Sequence, residues 1–148
     1  HPDVAISLNN LAGLYREQGK YAEAKLLYRR SLEIWERKLG ADYPDVANSL
    51  NNLTGVYYKQ GKYTEAELLL QRSFKILEKQ LGADHPDVAN SLNNLAGVFY
   101  TQGKYNDAES LFCQAVAIAE KSLGTEHPNT KTFRKNYELC LKKKEDRQ

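Results

Sequence analysis

The segment SLNNLAGLYREQGKYAEAKLLYRRSLEI at 7–34 returns at 49–76 as SLNNLTGVYYKQGKYTEAELLLQRSFKI and at 91–118 as SLNNLAGVFYTQGKYNDAESLFCQAVAI, a period of 42 residues. Self-similarity at a fixed spacing constrains the chain more than any single residue does. Each unit is one supersecondary element that cannot bury its apolar face alone, and neighbouring units stack to bury it. The period divides the 148 residues into repeats 1–42, 43–84 and 85–126 and a shorter closing segment, 127–148, read together as a single domain.

Each unit opens on a proline, in His1-Pro2-Asp3, Tyr43-Pro44-Asp45, His85-Pro86-Asp87 and His127-Pro128-Asn129. Proline suits a first helical position, where its missing N–H would have no partner, and aspartate beside it complements the helix dipole. Leu8, Leu11, Ala12 and Tyr15 then fall on one face of a 3.6-residue helix, as do Leu50, Leu53, Thr54 and Tyr57, and Leu92, Leu95, Ala96 and Phe99. The first helix is expected to stop at Gly19, Gly61 and Gly103, where a left-handed residue ends a helix without strain. Lys-Tyr leads directly into a second helix, and so short a turn forces an antiparallel pair. Ala24, Ala66 and Ala108 are small where the two helices should cross most closely.

The closing segment, HPNTKTFRKNYELCLKKKEDRQ, starts in phase but has no Gly-Lys-Tyr turn, so it reads as a single capping helix. Arg134 and Lys135 stand where earlier repeats carry Leu and Asn, consistent with a polar cap over the end of the stack. Lys142, Lys143 and Lys144 read as a solvated helix end, since no aromatic platform for nucleic acid accompanies them. Cys113 and Cys140 are the only cysteines and form no metal-ligand or disulfide pattern. Cys140 shares the apolar phase of Leu14, Val56 and Val98, which predicts a buried thiol. Cys113 shares that of Arg29 and Gln71, which predicts an exposed one.

Leu-Ala/Thr-Gly, an aromatic four residues beyond that leucine, then Gly-Lys-Tyr and an alanine three residues later resemble the tetratricopeptide repeat over almost the whole chain. The longer period is similar to that of the repeats of kinesin light chain, nephrocystin-like proteins and bacterial multi-repeat proteins. The resemblance implies an all-α fold, a right-handed superhelical α-solenoid of antiparallel helix pairs with a C-terminal capping helix. First helices would line its inner, concave surface.

The candidate binding residues on that surface are Asn9, Asn10 and Arg16 in repeat one, and Asn48, Asn51, Asn52, Tyr58 and Lys59 in repeat two. Repeat three offers Asn90, Asn93, Asn94 and Tyr100, and the closing helix Lys135. An asparagine amide supplies donors and an acceptor, which an extended peptide backbone needs, and Tyr58, Tyr100 and Arg16 could select its side chains. Gly13, Gly55 and Gly97 would let a ligand approach the helix backbone. The competing reading is that the second asparagine of each pair bridges adjacent repeats and the glycines only permit tight packing. By helical phase, Asn9, Asn51 and Asn93 point further from the neighbouring unit. Resemblance to kinesin light chain implies recognition of short peptides through comparable asparagine positions. The Lys and Arg carboxylate clamp of chaperone-binding members is disfavoured, because this chain has asparagine there.

Basic and acidic residues number 21 and 19 and are mixed along the chain, so no strong field points to nucleic acid or a membrane. No apolar run is long enough to span a bilayer and no signal peptide is recognisable, which leads to an expected cytoplasmic location. The histidines sit in the recurring loop, Asp3, Asp45 and Asp87 lie in separate repeats, and no catalytic or phosphate-binding motif occurs. The chain therefore reads as a non-enzymatic scaffold with no cofactor or metal, binding a protein or peptide partner. An alternative is homotypic assembly, in which copies stack through exposed repeat ends.

Overall fold

A computed structural model describes residues 2–41 and 43–147. His1, Asp42 and Gln148 lie outside the described residues, and the loop role read for His1 lies there with it. The described residues form seven helices and no strand: α1 (Pro2–Glu17), α2 (Tyr21–Leu39), α3 (Pro44–Lys59), α4 (Tyr63–Leu81), α5 (Pro86–Thr101), α6 (Tyr105–Leu123) and α7 (Pro128–Asp146). Each helix starts at its proline or at the tyrosine of Gly-Lys-Tyr, as the repeat placed it, and the first helices end two residues before Gly19, Gly61 and Gly103. The chain separates into two compact units, His1–Ile76 and Leu77–Gln148, with the division inside α4.

Proline occupies the first turn of α3, α5 and α7. The residue before it caps the helix when its side chain can accept. His85 Nδ1 accepts from the Asp87 N–H at 3.1 Å, and His127 Nδ1 from the Asn129 N–H at 3.1 Å. Tyr43, at the same place before α3, makes no such bond. The turns between paired helices close in one way throughout. Lys62 N–H donates to the Tyr57 carbonyl at 2.9 Å and Gly61 N–H to the Tyr58 carbonyl at 3.0 Å, while Gly61 takes φ +75°. This doubly bonded termination satisfies carbonyls that the helix end would leave open. Lys20 with Tyr15 and Lys104 with Phe99 repeat the long bond at 2.9 Å.

In the first unit Ala24 and Ala66 are fully buried, as the crossing requires, and Val46, Leu50, Val56 and Leu70 fill the core beside them. Small buried hydroxyls tie second helices to first: Ser31 Oγ donates to the Ala5 carbonyl at 2.9 Å and Ser73 Oγ to the Ala47 carbonyl at 3.2 Å. In the second unit Ala96, Ala108, Phe112 and Cys140 form the heart of a core, flanked by Phe99, Tyr100, Tyr105, Leu111 and Tyr137. α7 closes this unit against α6, with Arg134 bonded to Glu120 at 3.0 Å. Cys140 is fully buried and Cys113 exposed, as their phases predicted.

The apolar stripe departs from expectation in the first repeat. Leu53 and Leu95 are 3% and 5% exposed, but Leu11 in the same phase is 41% exposed. α2 of the preceding repeat packs against α3. Val4, Ile6 and Leu14 accompany Leu11 at the surface. Full burial of a leucine side chain contributes roughly 1.5–3 kcal/mol, so α1 gains less from its stripe than α3 does.

Candidate functional site

The first helices of the repeats carry the asparagines, and the two units present them differently. In the first unit Asn10 and Asn48 are exposed, while Asn9, Asn51 and Asn52 are half-buried. The amide oxygens of Asn9 and Asn51 are shielded and meet no protein hydrogen-bond donor. In a shielded site such an oxygen costs about 1–3 kcal/mol. Arg16 on α1 is half-buried and reaches α3, its Nη1 lying 3.2 Å from where a β-carbon on Gly55 would stand. Tyr58 meets Tyr63 edge to face, ring centroids 5.3 Å apart. Lys59 is exposed.

In the second unit Asn90 and Asn94 are exposed, one helical turn apart on α5. Asn93 is half-buried, and its Oδ1 accepts from Asn136 Nδ2 on α7 at 3.1 Å. Tyr100 stacks edge-on against Tyr105 at 5.3 Å and belongs partly to the core. Lys135 is exposed.

Two details of the sequence reading change. The first asparagine of the pair, not the second, bridges to the next segment in this unit, Asn93 on α5 meeting Asn136 on α7. The glycines also divide. Arg16 covers Gly55 and the Tyr28 hydroxyl stands 3.6 Å from a β-carbon on Gly13, whereas a β-carbon on Gly97 would meet nothing within 4 Å. Gly97 alone of the three leaves helix backbone bare, and Asn90, Asn94 and Thr101 share its face at helical spacing.

Sequence patterning does not single out the cations Lys25, Arg29 and Lys62, which the fold brings around the Tyr57 ring. A signal was present. Aligned repeats set Lys25 in phase with Glu67 and Glu109, a reversal of charge at a repeating position. Among the described residues no group of three or more His, Cys, Asp or Glu side chains converges to hold a metal. No helix among them is long and apolar enough to cross a membrane.

A family model described as Tetratricopeptide repeat matches residues 3–79 and 55–121. No curated protein matches the chain. Among solved structures it is similar to the nearly identical tetratricopeptide-like repeats of a Podosopora anserina protein assigned as a kinesin light chain, with TM-score 0.84 and 29% identity over 95% of this chain and 66% of that one. It is similar to BtubC (BKLC) from P. vanneervenii, with TM-score 0.79 and 23% identity over 97% of this chain and 63% of that one. The N-terminal domain of stress-induced protein-1 from C. elegans gives TM-score 0.69 and 16% identity over 95% and 96% of the two chains. These last two likenesses concern the fold alone, and the chain spans a little under two thirds of the first two structures. Folds of this kind commonly act as non-catalytic scaffolds for protein–protein interaction. Three consecutive helix pairs with a closing helix, a glycine-terminated turn in every pair and a family match across both units together place the chain in the tetratricopeptide repeat family, in a kinesin light chain-like form of the repeat.

Proposed function

We propose that the chain is a non-catalytic receptor for an extended peptide segment of a partner protein, held on the asparagine-bearing first helices. Within the first unit the seat is on α1 and α3, and within the second it is on α5 and α7. The observation that carries this reading is the bare backbone at Gly97, flanked by the exposed amides of Asn90 and Asn94. A peptide main chain needs closely set donors and acceptors on a surface free of bulky side chains, and this face offers both. Tyr100 and Lys135 in the second unit, and Arg16, Tyr58 and Lys59 in the first, supply side-chain selectivity. Asparagine in place of Lys and Arg argues for reading the main chain over clamping a terminal carboxylate.

The test uses a peptide-library screen, followed by titration of the selected peptide. Asn90→Ala with Asn94→Ala should weaken binding about tenfold or more, since each amide bond to a ligand contributes about 0.5–1.5 kcal/mol. Gly97→Leu should block the peptide altogether. Asn90 and Asn94 are exposed and a β-carbon on Gly97 meets nothing within 4 Å, so melting temperatures should hold or rise. Undiminished binding in both variants would remove the receptor from this face.

A second reading rests on the apolar end of α1. Val4, Ile6, Leu11 and Leu14 are 41–56% exposed, and Asp3, Val4, Ser7, Leu8 and Leu11 line an open hollow of about 300 Å³. An apolar repeat end of this kind favours stacking against a second copy. Sedimentation across a concentration range tests it. Association that Leu11→Glu with Leu14→Glu abolishes supports stacking, and a monomer at all concentrations rejects it.

A further inference from the structure

The turn that joins α3 to α4 places Lys62 against its own repeat's aromatic residue, with the ammonium 6.0 Å from the Tyr57 ring centroid. Lys20 over Tyr15 at 5.6 Å and Lys104 over Phe99 at 5.5 Å repeat this contact. Among the described residues, cations from another helix join it only at Tyr57. α2 contributes Lys25 Nζ at 5.7 Å and the Arg29 guanidinium at 5.8 Å from the same centroid, and Arg29 Nη2 also donates to the Tyr57 hydroxyl. Three positive charges thus converge on one ring, and the ring face offsets part of their mutual repulsion.

Among the described residues none of the three makes an ion pair with a carboxylate. The repulsion registers on Lys25, whose pKa is lowered from its ordinary 10.5 by the Lys62 charge first, then by partial burial and by Arg29. The α6–α7 seam in the second unit shows what the position holds elsewhere. Glu109, in phase with Lys25, pairs there with Lys144 at 2.7 Å. That seam supplies its own carboxylate. The α2–α3 seam carries a lysine in the carboxylate's place and adds Arg29 where the later repeats have Gln71 and Cys113.

We propose that Lys25, Arg29 and Lys62, gathered on the Tyr57 ring, form a docking point for an acidic segment of a partner protein, whose carboxylates supply the negative charge that Glu109 supplies on the other seam. Arg29 offers a planar fork for one carboxylate, and the two ammonium groups take a neighbouring one. Arg29 and Lys62 are exposed and Lys25 half-buried, so the cluster is open to a ligand while Tyr57 beneath it stays in the core. None of these residues belongs to the asparagine face, so this docking point stands or falls independently of the peptide seat proposed there.

Titration of the full chain with a fluorescent oligoglutamate peptide, at low and at physiological ionic strength, tests the assignment. Binding is expected at low salt and should weaken as salt rises. Lys25→Glu, which installs the residue of the later repeats, and Arg29→Gln should each weaken it by about tenfold with an unchanged helical spectrum. Lys121→Gln removes a cation already paired with Asp84 at 2.7 Å and should bind as the parent does. The proposal is overturned if the parent ignores oligoglutamate, or if Lys25→Glu and Arg29→Gln bind as tightly as Lys121→Gln. It is equally overturned if inorganic phosphate or a phosphoserine peptide binds where oligoglutamate does not.

Discussion

Two classes of buried serine separate what a hydroxyl contributes from what it costs. Ser31 is fully buried and donates to the Ala5 carbonyl. Ser91 is equally buried, yet its hydroxyl has no protein partner. Ser31→Ala should therefore destabilise by about 0.5–1.5 kcal/mol, while Ser91→Ala should be neutral or stabilise by up to about 1 kcal/mol, because it removes an unpaid desolvation. Chemical denaturation of the two variants reads the difference, and equal effects of the same sign would contradict it. Repeat three already carries Ala115 in the phase of Ser31 and Ser73, so the bond is an addition to the packing, not a condition for it. The asparagines show where residue-level inference ends. Their period was legible, but adjacent positions on a helix differ by only 100°, and a wheel drawn for one helix does not say which neighbour lies at its edge. The contact with Asn136 therefore fell to Asn93 instead of Asn94. Asn136→Ala should cost about 0.5–1.5 kcal/mol, and Asn93→Ala in that background should add almost nothing.

Helix by helix, boundaries were the most legible part of the chain, because proline and glycine act through the backbone and need no knowledge of neighbours. What the recurring loop histidine does was less legible. Its place before proline marked a turn, but the Nδ1 acceptor role emerges only when the extended backbone at His85, φ −78° and ψ 141°, aims the ring at the Asp87 N–H. Tyr43 shares the extended backbone, φ −86° and ψ 144°, and lacks the acceptor. Tyr43→Asp should then cap α3 and stabilise the chain by about 0.5–1 kcal/mol, and His85→Ala should lose about the same at α5. Thermal melts of the two single variants, moving in opposite directions, are the expected result. A Tyr43→Asp variant that melts lower would mean the tyrosine ring holds the turn by packing.

At the scale of the whole chain, the repeat made the all-helical plan readable before any residue was placed, since a unit that recurs must pack on something like itself. The cation cluster on Tyr57 was not readable in that way. It is a departure of one repeat from the others, and averaging over repeats hides it. Cys140 is another such departure, a thiol in the phase of Val56 and Val98, and it provides a probe of unfolding in the second unit. It is fully buried, with Sγ 3.6 Å from the Tyr105 carbonyl, whereas Cys113 is exposed. Under native conditions iodoacetamide should modify Cys113 promptly and reach Cys140 only through opening of the unit, slower by about a thousandfold or more for a stability of ordinary size. The separation should shrink in alkali. Burial first, and the nearby Glu109 charge second, raise the Cys140 pKa above its ordinary 9.0. The folded state thus disfavours the thiolate, and the stability that the neutral thiol contributes is complete below pH 9.0 and is lost as pH rises from there through the folded value. Mass spectrometry of a Cys113→Ser variant, which leaves one thiol to follow, should show alkylation of Cys140 accelerating above pH 9 beyond what an unfolded thiol of the same ionisation would gain. Prompt modification at neutral pH would mean that the core around Ala96, Ala108 and Phe112 opens locally, without unfolding of the unit.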